Sequence, residues 1–279
     1  MIKTDNTIDS YISVKMLEEH KERERLHREK NPIKKGNLTA SMLGKPTQWS
    51  VLKMCGLPPK EPDEYSLRKF KRGYQVEDWI EEFVQPVDSQ VDIKPYRGVT
   101  GTIDFIVNTK NWQTNVGIIP LEIKSVKNSQ FSYIINRRTG GPKLGHCLQA
   151  MLYALATGSE HYALTYVAAD DLRTKTFICH VDDKFYYQEL EKYKIKMQFY
   201  QEIDLRRYLE DTITEITKHR DEGTIPEFAQ VFQEGWQVLP DWCDYPDFKD
   251  LSSKEAEDRI KKYHPEAYKK LKERVNGRD

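Results

Sequence analysis

The segments GTIDFIV, residues 101–107, and PLEIKSV, residues 120–126, decide the fold of this 279-residue chain. Both are apolar runs with the length of a strand, and a short polar gap separates them. Asp104 interrupts the first run, while Glu122 and Lys124 interrupt the second. An ionised carboxylate in a buried strand is costly unless it is paired or binds a cation. The pattern therefore indicates two neighbouring strands that share a polar site.

The polar residues of these strands are of the types that hydrolyse phosphodiesters. Because side chains alternate along a strand, Glu122 and Lys124 project from one face, and Leu121 and Ile123 project from the other. Asp104 and Glu122 would hold Mg²⁺ or Mn²⁺, with the Ile123 carbonyl as a further oxygen ligand. Lys124 would orient or activate the attacking water and offset the developing negative charge.

The rest of the chain predicts an α/β protein with charged helical extensions. Glu77 follows the helical spacing of the apolar residues around it, so we expect it to face the core. Strands are predicted at residues 87–96, 101–108, 116–126, 162–168 and 174–181. Helices are predicted at residues 12–30, 47–54, 66–84, 144–157 and 253–275, and a long helix or a helical pair is predicted at residues 185–220.

A basic segment follows the second strand. Lys plus Arg equals Asp plus Glu at 44 each, so the whole surface is not suited to indiscriminate binding of nucleic acid. A local groove remains compatible with this balance, because no Asp or Glu occurs from Ile123 to Ser159. We expect residues 127–143 to form a mobile basic loop. The candidate DNA-binding residues are Lys127, Arg137, Arg138, Lys143 and His146.

The order of the motifs resembles the PD-(D/E)XK nuclease superfamily, in particular its RecB-like and lambda-exonuclease-like branches. Those proteins show a helical glycine followed by His or Glu, then GxxD, then (D/E)xK, then QxxxY on a helix. The matching residues here are Gly73 and Glu77, Gly101 and Asp104, Glu122 and Lys124, and Gln149 and Tyr153. The resemblance implies that Glu77 is a further metal ligand and that Gln149 and Tyr153 line the active site.

The resemblance also implies the organisation of the chain. It predicts a restriction-endonuclease-like core with a central mixed sheet flanked by helices, at residues 61–240. A helical extension at residues 1–60 would precede this core, and a helical segment at residues 241–279 would follow it.

Many RecB-like nucleases carry an iron–sulfur cluster, with one cysteine before the core and three after it. This chain has Cys55 before the core and Cys243 after it, the latter in WCDYPDFKD at residues 242–250. Two cysteines cannot supply the four thiolates that a cluster normally takes. We therefore expect no cluster, with packing around Trp236 and Trp242 in its place.

The leading hypothesis is a Mg²⁺- or Mn²⁺-dependent DNA exonuclease that acts in recombination, repair or DNA degradation, and the lambda-type resemblance implies a phage origin. A structure-specific or nicking endonuclease and a non-catalytic DNA-binding protein on the same fold remain as alternatives. No GxxxxGK[ST] motif occurs, so unwinding would require a helicase or recombination partner. No apolar run approaches the roughly 20 residues of a membrane helix, and the N-terminus lacks a signal-peptide pattern. We expect a cytoplasmic protein that does not associate with membranes.

Overall fold

The computed structural model describes residues 6–30, 37–60, 62–136, 141–188, 200–226, 245–248 and 251–276. The helices are α1 (Asn6–Lys30), α2 (Thr47–Met54), α3 (Glu64–Val84), α4 (Asn128–Ile134), α5 (Leu144–Thr157), α6 (Leu205–Glu222), α7 (Ser253–Tyr263) and α8 (Pro265–Asn276). The strands are β1 (Leu38–Thr39), β2 (Asp88–Asp92), β3 (Val99–Thr100), β4 (Thr102–Asn108), β5 (Ile118–Val126), β6 (His161–Ala168), β7 (Thr174–His180), β8 (Lys184–Gln188) and β9 (Tyr200–Asp204).

The central sheet has five strands in the order β2-β4-β5-β6-β7. Strand β5 pairs antiparallel with β4 and parallel with β6, and the two outer pairings are antiparallel. The segment that contains α4 and α5 makes the crossover that a parallel pair requires. Because β5 lies in the middle of the sheet, it is buried along most of its length, which explains its nearly continuous apolar run. The predicted mixed sheet flanked by helices is confirmed.

Helices cover both faces of this sheet. On the first, which we call the α3 face, Val76 and Ile80 of α3 pack with Phe105 of β4 and Leu121 of β5. On the second, the α5 face, Met151 of α5 belongs to a larger apolar cluster. The strands serve both faces because successive side chains point in opposite directions.

The larger cluster also includes residues from both ends of the chain. Leu38 and Met42 precede α2, while Ile260 and Leu271 lie on the two C-terminal helices, and all four are buried in the same cluster. Strand β1 also pairs in parallel with β3. The described parts of the three predicted segments therefore share one core, and the division at residues 60 and 240 stays a prediction.

Helix α1 lies against α3 through polar and aromatic contacts. Lys71 donates to Glu19 at 2.5 Å, and the rings of His20 and Phe70 stack with their centroids 4.8 Å apart. The predicted charged helix is thus present but packed on one side. Among the described residues, no helix is both long and apolar enough to cross a membrane.

The prediction of a loop over residues 127–143 is wrong for its first half. Helix α4 occupies residues 128–134 and buries Phe131 and Ile134, which lie three residues apart and so share a helix face. A helix of seven residues is too short for periodicity to distinguish it from a loop. Residues 137–140 lie outside the described part of the chain.

Two predicted helices also need correction. Residues 185–220 contain the antiparallel strands β8 and β9, and the helix begins only at Leu205, where Asp204 caps it by accepting the Arg207 N–H. Residues 253–275 form two helices because the backbone leaves the helical region at His264 and Pro265 begins α8. Proline is well suited to a first helical turn but lacks the N–H that a continuous helix needs.

Candidate active site

The pairing of β4 with β5 brings the Asp104 carboxylate to the middle of the sheet. The regular pairing of the two strands ends at Phe105 and Leu121, which directly neighbour Asp104 and Glu122 in the sequence. At the following position, Asp104 Oδ2 accepts a hydrogen bond from the Ile123 backbone N–H at 2.8 Å. A side-chain oxygen therefore replaces a strand carbonyl, which ties Asp104 to the strand that carries Glu122.

A chain of polar contacts joins β5 to α5 on the α5 face. The Lys124 ammonium forms an ion pair with Glu122 Oε1 and donates to Gln149 Oε1 at 3.3 Å. Gln149 Nε2 donates in turn to the Tyr153 hydroxyl at 3.1 Å. Two polar residues at the edge of a core could bond only to each other. Gln149 bonds to Tyr153 and also accepts a hydrogen bond from Lys124. The structure thus brings four of the predicted site residues together.

Gly101 makes room for this arrangement, a role that the sequence analysis missed. A Cβ at residue 101 would lie 2.7 Å from Tyr153 Cε1 and 3.0 Å from the Ala40 Cβ. Both distances are far shorter than a normal carbon–carbon contact. The glycine of GTIDFIV is therefore needed because the Tyr153 ring occupies the space that a side chain would fill. No feature of the local sequence shows which ring occupies that space.

Glu77 approaches the site from α3. Burial and the negative charge of Asp104 raise the pKa of Glu77 to about 7, while the positive charge of Lys124 opposes this shift. The basic residues nearest in sequence have other partners, since Lys71 pairs with Glu19 and Arg72 Nε donates to Ser125 Oγ at 3.2 Å. Glu77 is thus close enough to Asp104 and Lys124 to interact with both electrostatically.

Burial dominates the acid–base properties of the site. It raises the pKa of Glu122 to about 8, with Asp104 acting in the same direction and Lys124 against it. Burial also raises the pKa of Asp104. The two carboxylates raise the pKa of Lys124 even though burial acts to lower it. A site with more carboxyl groups than cations therefore retains protons at neutral pH, and an added cation would release them.

The donor set fits a hard divalent cation. Glu122 is only 2% exposed, and its Oε2 atom has no hydrogen-bond partner among the described residues. A buried polar atom without a partner is uncommon and requires an explanation such as a bound ion. Carboxylate oxygens are the ligands that Mg²⁺ and Mn²⁺ prefer. Within the described ranges, however, no three His, Cys, Asp or Glu side chains are grouped closely enough to hold a metal. One oxygen of Glu122 is instead paired with Lys124, and Asp104 Oδ2 is bonded to the Ile123 N–H.

The predicted DNA-binding residues that the structure describes lie in two places. Lys127 is exposed at the start of α4, and its Nζ lies 5.4 Å from the centroid of the Tyr65 ring. The Lys143 backbone N–H donates to the Tyr166 hydroxyl at 2.9 Å, and His146 Nδ1 lies 3.0 Å from the same hydroxyl. Burial and the charges of Lys124 and Lys143 hold the pKa of His146 well below its usual range. His146 is therefore neutral at pH 7, which does not favour a purely ionic contact with phosphate.

Several predictions fall on residues that the structure does not describe. Arg137 and Arg138 belong to this group, as do Trp236, Trp242 and Cys243. Cys55 is described and is buried at the end of α2. The expectation that no iron–sulfur cluster is present stays a prediction.

Comparisons with known proteins find distant similarities of fold. No family model matches the chain, and no curated protein matches it. LHK-Exo in complex with dAMP is 14% identical, with a TM-score of 0.43 over 66% of this chain and 87% of that chain. An alkaline exonuclease (LHK-Exo) from Laribacter hongkongensis is 15% identical, with a TM-score of 0.42 over the same shares of the two chains. SSO0001 is 17% identical, with a TM-score of 0.41 over 75% of this chain and 86% of that chain.

At this level of identity the likeness concerns the fold. The chemistry of this chain must therefore be argued from its own side chains.

Proposed function

We propose that this protein is a divalent-metal-dependent deoxyribonuclease that hydrolyses phosphodiester bonds from DNA ends. The observation that carries the proposal is the buried Glu122 carboxylate, whose Oε2 atom is unpartnered among the described residues. It lies beside Lys124, and on the adjacent strand Asp104 is bonded to the Ile123 N–H. Packing alone would not favour this arrangement, because a buried carboxylate lowers stability unless its charge is used.

In this proposal Asp104, Glu122, Glu77 and the Ile123 carbonyl would hold Mg²⁺ or Mn²⁺. The bound ion would neutralise phosphate charge and increase the acidity of the attacking water. Glu122 would bind as the carboxylate, so its proton must leave when the ion enters. Glu77 would need a change of side-chain conformation, because the acids are not grouped as a three-ligand site.

Lys124 would orient the water and offset the negative charge that develops on the phosphate. Its ammonium is held by Glu122 and by the Gln149 side-chain oxygen. Burial raises the pKa of Tyr153, so its hydroxyl stays protonated and acts through hydrogen bonds rather than as a base. Gln149 and Tyr153 would then position the lysine.

A protein that only binds DNA is a poorer match to this site. Buried acids next to the binding surface repel phosphates, and affinity for DNA comes mainly from neutralising phosphate charge. The proposed enzyme would act in the cytoplasm, in recombination, repair or DNA degradation. A helicase or recombination protein would supply any unwinding.

The test is degradation of end-labelled linear and circular DNA, each single- and double-stranded, with Mg²⁺, Mn²⁺ or EDTA. The intact protein should degrade linear substrates only when a metal is present and should leave circles intact. Asp104→Ala, Glu122→Ala and Lys124→Ala should each lower the rate by at least about 1000-fold. Equal rates in all four proteins would refute the proposal, and cleavage of circles would identify an endonuclease instead.

A further inference from the structure

Tyr65, near the start of α3, is an exposed aromatic residue surrounded by cations. The residue is 50% exposed, and the Nζ atoms of Lys69 and Lys127 lie 4.0 Å and 5.4 Å from the centroid of its ring. Lys127 is the largest cause of a lowered pKa at the Tyr65 hydroxyl, and the charges of Lys69 and Arg72 act in the same direction. Residues 65, 69 and 72 follow the spacing of one helix face, so α3 and the start of α4 together build the cluster.

This cluster is attached to the end of β5 that carries the proposed catalytic residues. Arg72 Nε donates to Ser125 Oγ at 3.2 Å, and Ser125 directly follows Lys124. Lys127 follows three residues after Lys124 on the same chain segment. Arg72 thus reaches β5 one residue from Lys124, and Lys127 lies three residues from it in the chain.

The acids at this end of α3 have structural partners of their own. Asp63 Oδ1 accepts the Ser66 N–H at 2.8 Å and so caps the helix, and Glu64 pairs with Arg68. No acid occurs in the sequence from Lys124 to the end of α5. Asp170 and Asp171 lie beside Asn128, next to Lys127, where Asp171 also pairs with Arg173.

We propose that Tyr65, Lys69, Arg72 and Lys127 form a subsite for a single DNA strand that leads into the catalytic site. A base would stack on the Tyr65 ring, and the three cations would contact the neighbouring phosphates. Stacking on an exposed ring requires a base whose face is free, which a paired duplex does not offer. This inference rests on the proposed nuclease function and specifies its substrate as a strand that is unpaired next to the cleaved bond.

The chain contains a matched control on α7. Tyr263 is 58% exposed, and Lys262 Nζ and the Arg259 guanidinium carbon lie 4.8 Å and 5.7 Å from its ring centroid. Lys262 is likewise the largest cause of a lowered pKa at the Tyr263 hydroxyl. Its chemistry is thus that of the Tyr65 cluster, but α7 packs on α8 instead of on the strands that carry Asp104 and Glu122.

The experiment measures the binding of full-length protein to a fluorescent single-stranded oligonucleotide and to a blunt duplex, in EDTA so that no cleavage occurs. Tyr65→Ala should weaken single-strand binding roughly tenfold and change duplex binding less, whereas Tyr65→Phe should have little effect because it keeps the ring. Lys69→Gln with Lys127→Gln should lower the salt dependence of binding by about 1.4 in log–log slope, since two phosphate contacts are removed. Tyr263→Ala should bind as the unmodified protein does.

Unchanged thermal midpoints would show that these exposed substitutions leave the fold intact. Equal losses in Tyr65→Ala and Tyr263→Ala, or no loss in either, would overturn the subsite, as would an equal loss for duplex DNA. Because binding in EDTA needs no catalysis, the two proposals fail differently. Weakened binding in Tyr65→Ala with undiminished cleavage by Glu122→Ala would refute the proposed catalytic site and leave a strand-binding surface. If Tyr65→Ala bound single strands normally and cleavage still required a metal, only the subsite would be refuted.

Discussion

The two faces of the central sheet come from the same strands but differ in what they bury. The α3 face is an apolar cluster in which Ile80 of α3 packs with Leu121 of β5. On the α5 face, Glu122 and Lys124 interrupt the apolar packing and join Gln149 of α5. The first arrangement lowers free energy by removing apolar surface from water, whereas the second accepts the cost of burying polar and ionisable groups. The difference indicates that the second face is shaped by a chemical function.

The largest expected effect is that a substitution on the α3 face lowers stability but not activity, whereas one on the α5 face lowers activity but not stability. Ile80→Ala should lower the free energy of unfolding by about 2–5 kcal/mol, because it leaves a cavity in the α3 face, and should leave cleavage per folded molecule within about threefold. Glu122→Gln should reduce cleavage by about 1000-fold without lowering the free energy of unfolding at pH 7. With its pKa at about 8, Glu122 is mostly protonated at that pH, so glutamine resembles it in shape and charge.

Urea denaturation and a nuclease assay on the same preparations would check both halves of this contrast. If Glu122→Gln were as destabilising as Ile80→Ala, the carboxyl would be part of the packing. The contrast between the two faces would then fail.

The second effect is a pH dependence of stability that arises from the acids of the candidate site. The pKa of Glu122 is raised from its ordinary value of 4.5 to about 8, so the folded protein binds more protons than the unfolded chain between these values. Stability should therefore fall as pH rises from about 5 to about 8, by up to about 4 kcal/mol, and level off above about pH 9. Glu77, with its pKa raised to about 7, contributes with the same sign.

Thermal melts between pH 5 and pH 9 would measure this slope. Glu122→Gln should flatten it, and millimolar Mg²⁺ should also flatten it because a bound cation favours the ionised carboxylates. Ile80→Ala should shift the whole curve and keep its shape. A slope that is identical in Glu122→Gln would assign the pH dependence to other groups.

The smallest expected effect compares the two motif glycines. Gly101→Ala should cost about 1–3 kcal/mol and reduce cleavage, because the new methyl group meets the Tyr153 ring at 2.7 Å. Gly73→Ala should stabilise the protein by up to about 1 kcal/mol, since Gly73 is within α3 and a Cβ there has no neighbour within 4 Å. Calorimetry of the two variants decides the matter. Similar shifts of the same sign would mean that Gly101 does not hold space for the tyrosine.

Much of the secondary structure could be predicted where the pattern is long and regular. The bounds of α2 and α5 agree with the predicted ranges of residues 47–54 and 144–157. Strands β4 and β5 stand out because they are apolar runs of strand length. By contrast, α4 is too short to show a period, and β8 lies in a charged segment that resembles a helix in composition.

Membership of the candidate site was also predictable, but its connections were not. The order of the motifs identifies Asp104, Glu122 and Lys124, because alternation along a strand is a local property of the chain. The reason that residue 101 must be glycine, by contrast, is its contact with the Tyr153 ring, and Tyr153 is distant in sequence. The cationic surface around Tyr65 likewise depends on Arg72 reaching β5.

The sequence by itself determined which residue types lie on which side of each strand and helix, because that choice depends only on backbone periodicity. Tertiary structure alone decided which of those side chains meet and how far each is removed from water. The high pKa of Glu122 follows from burial and from charges on other parts of the chain. Neither the local dielectric nor the distance between two charges can be read from one segment, so the acidity of the site appears only when the sheet and its helices come together.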